Sequence, residues 1–218
     1  MKVAGILFDV DGTLVNTWNL YLEAYRLVVQ PYVRKPLHAE DIKRSRPSSE
    51  RQFIQTMIPE KEQDQAYRRL ISHYGYFYDE LSGGTYAGIR DMLEKIRQSG
   101  CPAGIFTGKS RPAWEITNRK EKLGIFNVVI TDSDVEQHKP HPEGLEKAAG
   151  LLGVAREGIL YIGDSILDYQ TAQQAGTQFA AALWAKSAEE KESFKKEAYH
   201  QGLDKFLLHP DELFSIIR

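Results

Sequence analysis

Val3-Ala4-Gly5-Ile6-Leu7-Phe8-Asp9-Val10-Asp11-Gly12-Thr13-Leu14 is an apolar run that breaks abruptly on two carboxylates and a glycine. The run Val3 to Phe8 is too short for a helix and reads as a strand buried on both faces. Asp9 and Asp11 stand two residues apart where the strand leaves its sheet, so both can face one small site. Gly12 permits the sharp turn that follows. A calcium loop of the EF-hand type is excluded, because it needs a third ligand before its glycine and a Glu further on, and here a hydrophobic strand precedes and Leu14 follows. Taken alone, the pentapeptide Asp9 to Thr13 reads equally well as an Asp-Gly turn.

Three more short apolar runs, Ala103 to Phe106, Val128 to Ile130 and Ile159 to Ile162, each end in a polar residue. Between them lie stretches with helical spacing, Trp114 to Leu123 closed by Gly124 and Gly144 to Leu152 closed by Gly153. Gln178 to Leu183 reads as a fifth strand and Phe206 to Leu208 as a short edge strand. Ala188 to His200 reads as a charged, solvated helix, and His209-Pro210 starts a last one. Strands alternating with helices predict right-handed crossovers and an α/β, doubly wound, Rossmann-like parallel sheet of five or six strands.

The alternation fails between about Val15 and Gly84. Tyr21, Leu22, Tyr25, Leu27 and Val28, then Phe53, Ile54 and Met57, then Tyr67, Leu70 and Ile71 recur at helical intervals with no strand-like run between them. The domains expected are therefore an α/β core of residues 1–15 and 84–218, with an inserted α-helical domain at 16–83. Ile89, Met92, Leu93 and Ile96 form the amphipathic helix that leads back to the second strand.

The chain has 218 residues, 42% hydrophobic and 27% charged, the composition of a folded protein large enough to need no disulfide or zinc staple. With 28 Lys and Arg against 30 Asp and Glu, the net charge is -2, so no global field gathers nucleic acid or an anionic membrane surface. No apolar run is long enough to span a bilayer, and the start does not read as a secretory signal. A single cysteine, Cys101, agrees with a reducing compartment and reads as a half-buried residue before a strand rather than a nucleophile. The expectation is a cytoplasmic protein, monomer or homodimer, with a small-molecule partner.

In an open parallel sheet, ligands bind outside the carboxyl ends of the strands. Asp9 and Asp11, Thr107, Asp164 and Asp168 fall there, and Lys139 follows the third strand closely. Thr107-Gly108-Lys109-Ser110 ends a strand and opens a helix, where a hydroxyl and free N–H groups make an anion site. Gly163-Asp164-Ser165-Ile166-Leu167-Asp168 puts carboxylates at i and i+4, on one face if a helix begins near Ser165. The bland alternative makes Asp164 an N-cap and Asp168 an exposed charge. Several converging carboxylates with no nearby Cys or His cluster point to Mg²⁺ rather than Zn²⁺.

In that order the motifs resemble those of the haloacid dehalogenase superfamily, and within it the phosphoglycolate phosphatase-like branch with a helical cap after the first strand. Phe8 to Leu14 is similar to its first motif, Thr107 with Gly108 to its second, Lys139 to its third, and Gly163-Asp164-Ser165 with Asp168 to its fourth. The resemblance implies a Mg²⁺-dependent phosphatase acting on a small phosphorylated metabolite. Asp9 would take up the phosphoryl group and Asp11 would serve as general acid and base. Thr107, Gly108 and Lys139 would hold the transferring oxygens. Asp9, the Val10 carbonyl, Asp11 and Asp164 would surround the metal, and Asp168 would position Lys139 or a metal-bound water. Asp11 separates the chain from the dehalogenases, which resemble this pattern but lack an acid at that position. A mutase of the β-phosphoglucomutase type, a phosphonate-cleaving relative and a non-catalytic binding protein of the same fold are the alternatives.

Two departures stand out. Tyr86-Ala87-Gly88-Ile89 replaces the Pro-Gly pair that relatives often carry, and Gln137-His138-Lys139-Pro140-His141 is rich in histidine, read as solvated loop residues. Specificity is expected from the cap, where Asp41 to Ser49 falls about where relatives place a specificity loop. Arg44 or Arg46 there could meet a second anionic group, or be solubilising charges only.

Overall fold

The computed structural model describes residues 2–38, 41–42, 49–124 and 126–217. Arg44 and Arg46 lie outside these. Six strands, β1 (Gly5–Phe8), β2 (Ala103–Phe106), β3 (Val128–Ile130), β4 (Ile159–Gly163), β5 (Gln178–Ala182) and β6 (Phe206–Leu207), form one parallel sheet in the order β3-β2-β1-β4-β5-β6. The fold is α/β and Rossmann-like. The register sets Phe8 beside Ile105 and Ile162, so the ends of the central strands are level.

Side chains alternate between two buried faces, as the pleat requires. Ile6, Phe8, Ile105, Leu160 and Ile162 face α5 (Ile89–Ser99), α6 (Arg111–Glu121) and α10 (Leu213–Ile216). Leu7, Phe106, Ile159 and Tyr161 face α7 (Glu143–Leu152), α8 (Ile166–Ala175) and α9 (Ala188–His200). The α9 surface is largely exposed, but Ala198 is fully buried and Phe194 packs on the second face.

Between β1 and α5 the described residues hold no further strand, only single bridges at Asp11–Val15 and Val15–Thr85, two 3₁₀ turns and the helices α1 (Trp18–Val29), α2 (Glu50–Met57), α3 (Gln63–Tyr76) and α4 (Tyr78–Leu81). They bury their own apolar cluster, in which Tyr21 lies against Tyr25 and Tyr74, with ring centroids 5.3 and 4.9 Å apart. Ala113 of α6 joins that cluster. Tyr74 Oη lies 2.8 Å from Thr117 Oγ1, and Tyr78 Oη donates to Glu121 Oε1 at 3.1 Å, fastening the block along α6. The chain enters and leaves the block at one place, where Asn16 N donates to the Gly84 carbonyl (2.9 Å) and Gly83 N to that of Asn16 (2.8 Å).

Some boundaries differ from expectation. The α6 helix ends at Glu121 rather than running to Gly124, because Lys122 turns left-handed at φ 51°. The Pro210 segment makes a single 3₁₀ turn before α10.

Two glycines of α7 give a test of the packing. A Cβ on Gly144 would lie 2.0 Å from Phe106 Cε2, whereas one on Gly150 meets no atom within 4 Å. Gly144→Ala is expected to cost about 1–3 kcal/mol through overpacking. Gly150→Ala should gain about 0.5–1 kcal/mol from helix propensity. Urea unfolding midpoints of the two variants check the difference in sign.

Candidate active site

Asp9 follows β1, with its N–H bonded to the Ile162 carbonyl at 2.8 Å, so β4 fixes where the carboxylate starts. The loop then folds on itself. The Val10 carbonyl accepts N–H groups of Thr13 (3.3 Å), Leu14 (2.8 Å) and Val15 (3.0 Å). That corrects the expectation of Val10 as a metal ligand, since its lone pairs are spent inside the turn. No side-chain or backbone donor among the described residues reaches the Asp11 carbonyl. Gly12 sits at φ 74°, and a Cβ there would lie 2.6 Å from the Asp164 carboxylate, so this glycine lets two acidic loops approach closely.

Lys139 is the centre of the site. Its Nζ donates to Asp168 Oδ1 (2.6 Å), Tyr161 Oη (2.6 Å) and Asp9 Oδ1 (3.2 Å), with the side chain 6% exposed. Asp168 is neither exposed nor free. Its Oδ1 takes Lys139 and Tyr161 (2.9 Å), and its Oδ2 takes the N–H and hydroxyl of Ser165 at 3.1 and 2.5 Å. Ser165, not Asp164, is the N-cap of α8, and Asp168 closes the capping box at its third position. Burial pushes the Asp168 carboxyl up, but Lys139, Ser165 and Tyr161 outweigh it and hold it below the ordinary range. Burial pulls the Lys139 ammonium down, and Asp168 and Asp9 more than offset it.

The ammonium is thus committed to Asp168, and Asp9 is left undercompensated. Its carboxyl is pushed up from 3.8 to about 7, chiefly by burial, with Asp168, Asp11 and Asp164 adding to the rise and Lys139 opposing it. Asp164 is likewise raised by burial, against the pull of Lys186, whose Nζ lies 2.8 Å from its Oδ2.

Oxygens of Asp9, Asp164 and Asp168 lie within 4.8 Å of one another, the one such group of three potential metal ligands among the described residues. A buried, all-oxygen, undercompensated set fits a hard divalent cation such as Mg²⁺. With both Asp168 oxygens engaged, Asp9 and Asp164 are the side chains available to hold it. The Asp11 carboxylate stands outside the group and is engaged elsewhere: Lys109 Nζ donates to its Oδ1 at 2.7 Å, and the Thr17 hydroxyl donates to the same atom.

Thr107 is buried at the end of β2, its N–H on the Ile130 carbonyl (3.0 Å) and its Oγ1 accepting Lys109 N (3.3 Å). Gly108 follows it at the start of the turn into α6. The histidine-rich loop is not simply solvated. His138 Nδ1 lies 2.7 Å from Oδ1 of the fully buried Asp132. Sequence reasoning also missed Tyr161, hidden in an apolar strand; Lys186, in a loop after β5; and Tyr21 with Glu50, whose partners are distant in the chain. Lys109 was visible only as part of the Thr107–Ser110 turn.

The family model of haloacid dehalogenase-like hydrolases matches residues 6–182. The chain is 34% identical over 192 residues to the pyrophosphatase PpaX of Bacillus cereus (strain AH820), covering 84% of this chain and 85% of that one. A crystal structure from Lactobacillus plantarum, of a protein assigned provisionally as a phosphoglycolate phosphatase, superposes with TM-score 0.82 at 28% identity over 99% of this chain and 100% of that one. CbbY from Rhodobacter sphaeroides, solved with phosphate, superposes with TM-score 0.81 over 97% of this chain and 96% of that one; at 22% identity it shares the fold.

The raised Asp9 carboxyl has a consequence for pH. Between its unfolded value of 3.8 and its folded value of about 7, the folded protein holds a proton that the unfolded chain has lost, so this group lowers stability as pH rises through that window. A divalent cation binds only the ionised form, so protons compete with it below about pH 7. Millimolar Mg²⁺ is expected to raise the melting temperature more at about pH 8 than at about pH 5.5. Equal shifts at both pH values would remove Asp9 from the metal site.

Proposed function

For a chain that belongs to the haloacid dehalogenase-like hydrolases, we propose Mg²⁺-dependent hydrolysis of a small phosphate monoester through a phosphoryl group carried on Asp9, with residues 16–83 as the cap. The observation that carries this reading is the convergence of Asp9, Lys139, Asp164 and Asp168 at the end of β1 and β4, where a carboxylate stands 3.2 Å from a buried ammonium.

Asp9 attacks phosphorus, and the leaving oxygen departs with a proton from Asp11. Asp11 then takes a proton from water as that water attacks the phosphoryl group, and the P–O bond to Asp9 breaks. Lys139 lies against the attacked centre and offsets the charge of the transferring oxygens, with Thr107 and Gly108 supplying hydroxyl and N–H donors. Asp168 acts by holding Lys139. Mg²⁺, held by Asp9, Asp164 and a backbone oxygen of the loop, would screen the anionic nucleophile from the anionic substrate. With the Val10 carbonyl engaged in the turn, the Asp11 carbonyl is the oxygen free for that role.

The B. cereus relative is named a pyrophosphatase, so a phosphoanhydride belongs beside phosphate monoesters among the substrates to test.

Phosphate release from an aryl phosphate with Mg²⁺, and its loss in EDTA, is the first expected result. Asp9→Asn should abolish turnover on every substrate. Asp11→Asn should retain a burst with an aryl phosphate and lose an alkyl phosphate by a further factor of about 10²–10⁴, the usual worth of general acid catalysis. Turnover that persists in Asp9→Asn contradicts the reading.

A further inference from the structure

Lys109 is a buried lysine with no part in the chemistry described above. Its backbone is clamped on both sides: its N–H donates to Thr107 Oγ1 at 3.3 Å, and its carbonyl accepts Asp132 N at 2.8 Å. The side chain is completely shielded from solvent, yet it leaves the core and enters the helical block. Its ammonium sits 4.3 Å from the ring centroid of Tyr21 on α1 and 4.7 Å from that of Tyr74 on α3. It donates to Tyr21 Oη at 2.9 Å, and the Tyr21 hydroxyl passes its own proton bond to Glu50, which is 2% exposed at the start of α2. The one carboxylate that ion-pairs with this ammonium among the described residues is Asp11, at 2.7 Å.

We propose that Lys109 is the positioning residue of the leaving-group acid: gripped by Tyr21 and Tyr74 of the helical block, its ammonium sets the direction of the Asp11 carboxylate and ties that alignment to the seating of the block. The inference rests on the role given to Asp11 under the proposed function. Its physical basis is unequal freedom. A carboxylate on a loop, one-third exposed, has a choice of rotamers, whereas a lysine packed between two rings and fixed at its backbone has almost none. The fixed partner therefore dictates to the mobile one. Thr17, which donates to the same Asp11 oxygen, lies just before α1 and strengthens the link to the block. Through Lys109 and Tyr21 the helices α1, α2 and α3 are thus linked to Asp11, whereas the ammonium beside Asp9 is that of Lys139.

A merely structural lysine and a positioning lysine differ in one readout. Loss of the acid's alignment harms substrates in proportion to the proton their leaving group needs, while loss of stability or of phosphate binding harms all substrates alike. Lys109→Met, which keeps the stem and removes the charge, is assayed by kcat/KM over a series from nitrophenyl to alkyl phosphates. The alkyl substrates should lose about 10–100-fold more than the nitrophenyl ester, a part of the worth of general acid catalysis, with the Mg²⁺ requirement unchanged. Tyr21→Phe keeps the ring face and removes the hydroxyl, so it should move the leaving-group dependence the same way by a smaller factor and stands in if Lys109→Met does not fold. Equal losses across the series in Tyr21→Phe, or in a folded Lys109→Met, overturn the inference alone. A wild-type protein without phosphatase activity overturns the proposed function and this inference together.

Discussion

One buried ammonium organises the carboxyl edge of the sheet. Lys139 is reached by Asp9 from the end of β1, by Tyr161 from within β4 and by Asp168 from the first turn of α8, and Tyr161 Oη also lies 3.0 Å from the Phe106 carbonyl of β2. Three strands and a helix are therefore locked to a single charge. Burying that charge is costly unless its partners are close and satisfied, and Asp168 meets this condition with four donors. Asp9 does not. Burial, with the neighbouring carboxylates adding to it, pushes its carboxyl up to about 7 in spite of Lys139, a perturbation of the kind that clusters at functional sites.

The same pattern is repeated around the site with different partners. Asp9 has Lys139, Asp11 has Lys109 and Asp164 has Lys186, three carboxylates each with a separate ammonium. The lysines differ in burial: the side chain of Lys109 is fully buried, that of Lys139 nearly so, and that of Lys186 19% exposed. Separate partners allow neighbouring residues of one type to behave differently, since Asp9 responds to the core and Asp11 to the helical block.

The sheet was legible because each central strand is buried on both faces and so reads as an unbroken apolar run ending in a polar residue. The helices between Trp18 and Leu81 were legible from their 3.6-residue spacing. The end of α6 was not, since Lys122 takes the left-handed position two residues before the glycine that the spacing marks as the close. Within the site, Asp9, Asp164 and Lys139 were marked by their position after strands. The Val10 carbonyl, which the resemblance sets at the metal, takes three N–H groups inside the turn, and no sequence pattern reports which way a peptide oxygen points. Lys109 and Tyr21 were unreadable for another reason: their contact joins residues 88 apart in the chain and exists only once the helical block lies on α6.

The proposed role of Asp9 as carrier of the phosphoryl group can be read directly. Rapid mixing of the Mg²⁺-loaded protein with an aryl phosphate, acid quench within the first turnover and peptide mass mapping test it directly. One phosphoryl group is expected on the peptide containing Asp9, lost on brief treatment with base and missing from Asp9→Asn. Substrate turnover with no phosphoprotein, or a phosphoryl group on any other residue, would contradict it.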